Sequence, residues 1–512
     1  MDERLQGGCP PAPRPSLDQS SAPARPSQPD QPKGGGPKDL LCLGVAALLA
    51  FLWTLCVDEL PMVLSAFFLG LGGLGTTLLL WGFFVACLLL RGGIKGLGRA
   101  ALLLMAANLL LAAAPAMVFN AQLRLLNAIV LGICSLLAFA LLAGGDEAAM
   151  LSSGGVARAL GFFVREQFKN LGMLFSLRPS TGEGGRGIRS AVLGLLAGAA
   201  VLLLVVPLLA SADAVFSGLV GDAFSWLEGD LELWLVRGLR LLLVGPLAFS
   251  LLFGLAHGHG RYLAAPKPGW RPAVSPLSLS CFLALIDSVY LVFVAIQFTY
   301  LFGGASSTAM YGGYAAYARS GFFQLVAVSA VNLLVVLFCQ RLRRDAPRSA
   351  GVLALQLALL AATLVMLASA AWRMGLYVGC YGLSLLRALT YLGMLAIAAL
   401  VALVALSLLR PRLPLFRLSL AVVVSLWIVF VFCNPVGRIA SFNVDGYLSG
   451  SIEEIDVCYL GSLSPDAAPA LRRLAEARPQ FSDAVREQLD GFDAMAQSFS
   501  WPFRTLGQLI SG

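Results

Sequence analysis

Eleven long apolar runs divide this chain, and its basic residues gather at every second gap between them. A run of about 20 apolar residues matches a hydrocarbon core roughly 30 Å thick. No water there satisfies backbone N–H and C=O groups, so such a run must close its hydrogen bonds within itself as a helix. The runs lie near 40–57, 62–90, 100–119, 122–143, 190–210, 233–256, 277–302, 319–340, 349–371, 384–409 and 416–433. The expected fold class is all-α: a polytopic transmembrane helix bundle of about 11 spans in contact with the lipid bilayer.

Composition agrees. Charged residues are 12% and hydrophobic residues 58%, against roughly a quarter charged in an ordinary soluble domain. A chain so poor in charge lacks the side chains to cover a water-exposed surface.

Lys and Arg in short loops are retained on the cytoplasmic side, which orients the spans. With the N-terminus inside, Arg91, Lys95 and Arg99 share one cytoplasmic gap, and Arg158, Arg165, Lys169, Arg178, Arg186 and Arg189 the next. Arg261, Lys267 and Arg271 follow, then Arg341, Arg343, Arg344 and Arg348, and finally Arg410, Arg412 and Arg417. The opposite gaps are acidic or nearly neutral, with Asp58 and Glu59 in one and Asp213, Asp222, Glu228, Asp230 and Glu232 in another. An odd number of spans sends the C-terminus outside, so residues 434–512 form an extracytoplasmic tail. The expected organisation is an arm at 1–37, a membrane domain at 38–433 and that tail. The formal net charge of +8 implies no nucleic-acid partner, because the basic residues are spread over separate gaps and not gathered on one face.

Residues 1–37 hold nine prolines with Ser, Gln and Gly. They bury too little surface to offset ordering entropy, which predicts a disordered cytoplasmic arm. No cleavable signal peptide is expected, since the first apolar run begins near residue 40 and leads into further spans. The ten cysteines show no CxxC. Cys380, Cys433 and Cys458 fall at or beyond the outer face, where a disulfide is permitted but not specified. His257 and His259 form an HGHG turn with no companion cysteine, a weak pattern for a metal. No metal and no cofactor is expected.

Three stretches depart from lipid-facing monotony. In PLLASADAVFSGLV, Pro207 precedes Asp213 at the outer mouth of the fifth span. A broken helix end beside an acid is one way to build a cation site, and a plain exit into an acidic loop is the other reading. In the seventh span Asp287 lies near mid-bilayer, where a carboxylate costs several kcal/mol unless paired, protonated or facing a wet cavity. Arg240, Arg319 and Arg387 are its candidate partners. In YGGYAAYARSGFFQL the tyrosines suit an interfacial belt. Arg319 and Gln324, with Asn332 behind them, form a polar track expected to face the bundle interior. The candidate intramembrane polar site is therefore Asp213, Asp287, Arg319, Gln324, Arg240 and Asn332.

The blocks IDSVYLVFVAIQFTYLFGG, YAAYARSGFFQLVAVSAVNLL and LLASADAVFSGL resemble the bacterial membrane family catalogued as domain of unknown function 4173. The segment 434–471, with its IASFNV string, resembles the end of that family and of its relative 4153. The resemblance implies a bacterial inner-membrane location and no activity. Two departures stand out: the family pattern has Asn more often where Asp287 stands, and Glu more often where Gln324 stands.

The tail reads as a small helical module. Ser464, Pro465 and Asp466 make a helix start, with a cap, a proline in the first turn and an acid at the positive dipole end. Leu471 and Leu474 form an apolar stripe, and Ser482 begins a second helix carrying Val485 and Leu489.

Three functional classes follow. Intramembrane polar residues suggest handling of a small solute or ion. A signalling or scaffold role would use 1–37 or 434–512 to bind a protein partner. Asp58 and Glu59 in an outer loop suggest, third, an enzyme resembling lipid-linked glycosyl transferases.

Overall fold

The computed structural model describes residues 37–56, 73–176, 231–258, 274–302, 322–342 and 349–498, and every element among them is helical. Among the described residues eight helices are long and apolar enough to cross a membrane. The bundle begins with α1 (Pro37–Cys56), α2 (Gly73–Arg91), α3 (Arg99–Met117) and α4 (Ala121–Leu142). An amphipathic helix, α5 (Gly155–Lys169), leads toward α6 (Leu231–Ala256). The second half holds α7 (Pro276–Phe302), α8 (Phe322–Leu342), α9 (Ala350–Tyr381), α10 (Leu385–Leu409) and α11 (Leu415–Phe432). The tail contributes α12 (Pro435–Leu448), α13 (Val457–Leu463), α14 (Ala468–Ala477) and α15 (Ser482–Ser498).

The eight candidate spans are α2, α3, α4 and α7 through α11. The runs at 40–57 and 233–256 also form helices, α1 and α6, which pack against each other. The run at 190–210 lies outside the described residues, as does the first part of 62–90. The largest departure from the sequence reading is α9, which continues through Arg373 to Tyr381 and reaches 32 residues. At 1.5 Å per residue it is about 48 Å long and exceeds the hydrocarbon thickness. The apolar run read at 349–371 ends two residues before Arg373, but Arg373 is only 9% exposed and the helix passes through it.

Short polar caps set the turns. Asn120 accepts from the Leu123 N–H at 3.1 Å to start α4, and Ser384 accepts from the Arg387 N–H at 3.3 Å to start α10. Asn434 opens α12 from a left-handed backbone with φ 46, accepting from the Gly437 N–H, a conformation Asn tolerates better than most residues.

Two groups of helices carry separate cores. One core joins α1 through α6 with α11 and the tail, through residues such as Leu111, Leu137, Phe249, Trp427, Ile439 and Leu471. Within α7 to α10 there are two stacked clusters. Leu279, Leu283, Val336, Val352, Leu359 and Val401 form the one nearer the 342–350 turn. Leu325, Met366, Ala370, Met374 and Met394 form the one nearer the 382–384 turn, with Tyr290 and Phe293 against it.

The tail caps one end of the bundle. Asn120 Nδ2 donates to the Leu463 carbonyl at 2.8 Å, and Tyr459 Oη accepts from the Leu385 N–H at 2.8 Å. The turns at 118–120 and 382–384 therefore share an end with residues 434–498. The turns carrying Arg91 and Arg99, Arg341, and Arg410, Arg412 and Arg417 lie at the other. Helix starts in the tail follow local chemistry: Ser464 accepts from the Asp466 N–H, a 3-10 turn Pro465–Ala467 follows, and α14 then buries Leu471 and Leu474.

Candidate functional site

Asp287 is the sole carboxylate in the eight candidate spans. It sits eleven residues into α7, about 16 Å along the helix axis. It falls four residues after Leu283 and three before Tyr290, on one helical stripe with both. Leu283 belongs to the cluster at the basic end of α7 to α10, and Tyr290 touches both clusters. Asp287 is half-buried at the level of the seam where the two cores meet. Both of its carboxylate oxygens are buried, and neither has a hydrogen-bond partner.

The neighbouring helices place polar groups on the same seam. On α9 the residues Val352, Gln356, Leu359 and Thr363 follow helical spacing and are all fully buried. Thr363 Oγ1 donates to the Leu359 carbonyl at 2.7 Å and accepts from Asn332 Nδ2 of α8 at 3.1 Å. Ser329, one turn before Asn332, is fully buried and donates to the Leu325 carbonyl. Gln356 differs from these: its Nε2 and Oε1 are both buried without a partner. Because Leu279 and Leu283 share a cluster with Val352 and Leu359, while Tyr290 and Phe293 meet Met366, α7 and α9 run in the same direction. That register sets Asp287 level with Thr363 and, seven residues on, about 10 Å farther from the basic end than Gln356.

The remaining sequence candidates disperse. Asp213 and Arg319 lie outside the described residues, and Arg240 lies on α6 with its side chain outside them. Asn332 is buried, whereas Gln324 is exposed. Arg387 is not a partner of Asp287. Its Nη1 donates to the carbonyls of Tyr381 and Gly382, and its guanidinium lies 4.2 Å from the Tyr377 ring centroid. It is thereby spent on closing the C-terminus of α9. Gln356 and Arg373 were missed by sequence reading. The signal for both was present, a polar side chain inside an apolar run, but Gln356 lay close enough to the span end to pass as an interfacial residue.

A second polar cluster sits at the basic end, where α5 packs on α6. Glu166 is fully buried, and its Oε2 accepts from Asn170 Nδ2 at 3.0 Å. Ser250 Oγ donates to the Glu166 carbonyl at 2.6 Å and accepts from the Asn170 N–H at 3.1 Å. Arg165 Nε and Lys169 Nζ lie 3.9 and 4.0 Å from Glu166 Oε1. This interlock ties α5 to α6. One turn on, His257 Nε2 stands 3.5 Å from Asp39 Oδ1 of α1, and its Nδ1 lies 3.0 Å from the Phe253 carbonyl. His259, Asp58 and Glu59 fall outside the described residues. Among the described residues no group of three or more His, Cys, Asp or Glu is arranged to hold a metal. Cys380, Cys433 and Cys458 are all free thiols.

Residues 100–474 match the sequence family described as Domain of unknown function (DUF4153). The chain belongs to this family. Of the two related families that the YARSGF and IASFNV strings suggest, this is the one that matches. No curated protein and no solved structure matches the chain. The matched DUF4153 region contains the Asp287 seam and the tail helices through Leu474. With its apolar helices, it makes this a membrane protein whose family description names no activity.

Proposed function

We propose that this protein handles a small solute or ion at the seam between the two cores of α7 to α10, with Asp287 as the group that meets it. The observation that carries the reading is the Asp287 carboxylate, with both oxygens buried and unpartnered. An Asp at the centre of a spanning helix costs about 3 kcal/mol. Structural ion pairs and hydrogen-bonded acids recover that cost through a partner, and Asp287 has none among the described residues. A group kept at such expense without a structural return fits a ligand that comes and goes.

The setting is the bacterial inner membrane, with the N-terminus inside and residues 434–512 outside. Supporting this are the basic residues at one end of the bundle and the tail at the other. The chain would then reach a protein partner through 1–37 on one side or 434–512 on the other. A signalling role is the second reading, favoured by the direct bonds from Asn443 and Tyr459 to the α9–α10 turn, which couple the tail to two spans.

The test is ion movement in vesicles reconstituted with the full chain, imposing H+, Na+ and K+ gradients in turn on wild type and Asp287→Asn. The reading predicts movement of one of these ions by wild type and its loss in the variant. Equal behaviour of the two proteins would remove solute handling and leave the signalling role.

A further inference from the structure

Asp287 and Gln356 have complementary unmet demands, and together these narrow what passes between them; the argument rests on the reading that Asp287 is the working group. Gln356 is fully buried with neither amide atom bonded. Buried amides in native proteins are satisfied by protein, ordered water or ligand. An ionised carboxylate only accepts hydrogen bonds, whereas an amide both donates and accepts. A bare metal cation would engage either the Gln356 oxygen or the Asp287 oxygens, and in both cases leave the two amide N–H groups unmet. Water accepts from those N–H groups and donates to the amide oxygen and to the carboxylate, so it meets every demand at once.

We propose that the ion handled at Asp287 is the proton, delivered through water held at Gln356 from the basic end of the bundle. The arrangement along the axis agrees. Gln340 Nε2 donates to Ser407 Oγ at 3.2 Å close to that end, Gln356 comes next, and Asp287 lies about 10 Å beyond it along the axis, a gap that a file of about three waters bridges. Level with Asp287, Asn332 and Thr363 are bonded to each other and leave no orphaned atom.

The step itself is a proton transfer. An excess proton at the Gln356 water passes along the file, each water breaking one O–H bond as it receives another; the last water gives its proton to an Asp287 oxygen, forming a new O–H bond and leaving neutral waters behind. Release is the reverse. Protonation removes the charge that the apolar surroundings penalise, so the group is stable in one state and reactive in the other. On α8, α9 and α10 no second carboxylate competes. Among Asp, Glu, Lys and Arg, α9 carries only Arg373, α8 only Arg341 and α10 only Arg387. The other titratable groups close to the seam are Tyr290, Tyr391 and Cys339.

The test is infrared difference spectroscopy on the full chain in lipid nanodiscs. Wild type should show a protonated-carboxyl band that responds to pH at fixed Na+ and K+, and Asp287→Asn should lack it. Gln356→Leu should keep the band but slow its exchange in D2O by about tenfold, because the apolar side chain no longer holds the water. Its thermal stability should equal or exceed that of wild type, since an unsatisfied amide is removed. A band that answers Na+ at constant pH would overturn the proton while leaving Asp287 as the working group. Wild-type exchange in Gln356→Leu would overturn the route through Gln356. A wild-type chain with no band that responds to either ion would overturn both this inference and the reading beneath it.

Discussion

Asn443 holds Leu383 from both sides: its Oδ1 accepts from the Leu383 N–H at 2.7 Å, and its Nδ2 donates to the Leu383 carbonyl at 2.7 Å. One side chain on α12 thus satisfies both backbone groups of a residue in the three-residue turn between α9 and α10. The tail is bonded to the spans at the point where the longest helix ends.

Replacing Asn443 by Leu should therefore free the turn without removing bulk. Two part-buried backbone groups lose their partners, at a cost of at most about 1–3 kcal/mol each. We expect a lower melting temperature in detergent and faster proteolysis at 381–385, with α14 and α15 still folded.

Gly382 has φ +70, and a Cβ there would run into Asn443 Oδ1. Gly382→Ala meets both backbone strain and a collision, so it should destabilise by about 1–3 kcal/mol. Combined with Asn443→Ala it should lose the collision part of that penalty, which a double-mutant cycle on melting temperature would read.

A similar coupling links α5 and α6. A Cβ on Gly254 would meet the Glu166 carboxylate, so Gly254→Ala should displace Glu166 from its contact with Asn170. The expected result is a clear loss of stability for Gly254→Ala that shrinks when Glu166→Ala is also present. Strictly additive losses would show that the two positions do not touch.

Asn332 and Thr363 bond across α8 and α9 inside the apolar bundle. Interhelical hydrogen bonds in membranes average about 0.6 kcal/mol with a maximum near 1.7, so Asn332→Leu with Thr363→Val should show a coupling energy in that range. Ion movement should survive, because neither residue lies on the route from the basic end to Asp287.

Cys458 is exposed in the tail module. A membrane-impermeant thiol reagent added to intact spheroplasts should label it in a variant lacking the other cysteines. Labelling only after lysis would reverse the orientation argued from Arg and Lys.

Much of this fold was legible because each span obeys one constraint, and apolar length alone revealed most of the helices now seen. The tail starts were legible as well, since Ser464 acts through local chemistry and Ser482 opens α15. The end of α9 was not, because Arg373 resembles the close of a span when neighbouring helices cannot be seen. The site was half legible. Asp287 stood out as the one acid in its run, but its relation to Gln356 depends on the register between α7 and α9, which packing sets and neither stretch reveals alone. Arg387 misled for a physical reason: a free guanidinium near a span end looks like a counter-ion, and here it closes a helix terminus through the Tyr381 and Gly382 carbonyls.

The central claim is that water reaches Asp287 inside the bundle. Cysteine placed singly at 285, 287 and 291, with the ten native cysteines replaced, would measure this through reaction with a small hydrophilic thiol reagent. Leu285 and Leu291 are exposed on the outer surface of α7, where lipid would keep a thiol unreactive. The account predicts rapid reaction at 287 and little at 285 or 291. A silent 287, no more reactive than its lipid-facing neighbours, would contradict it.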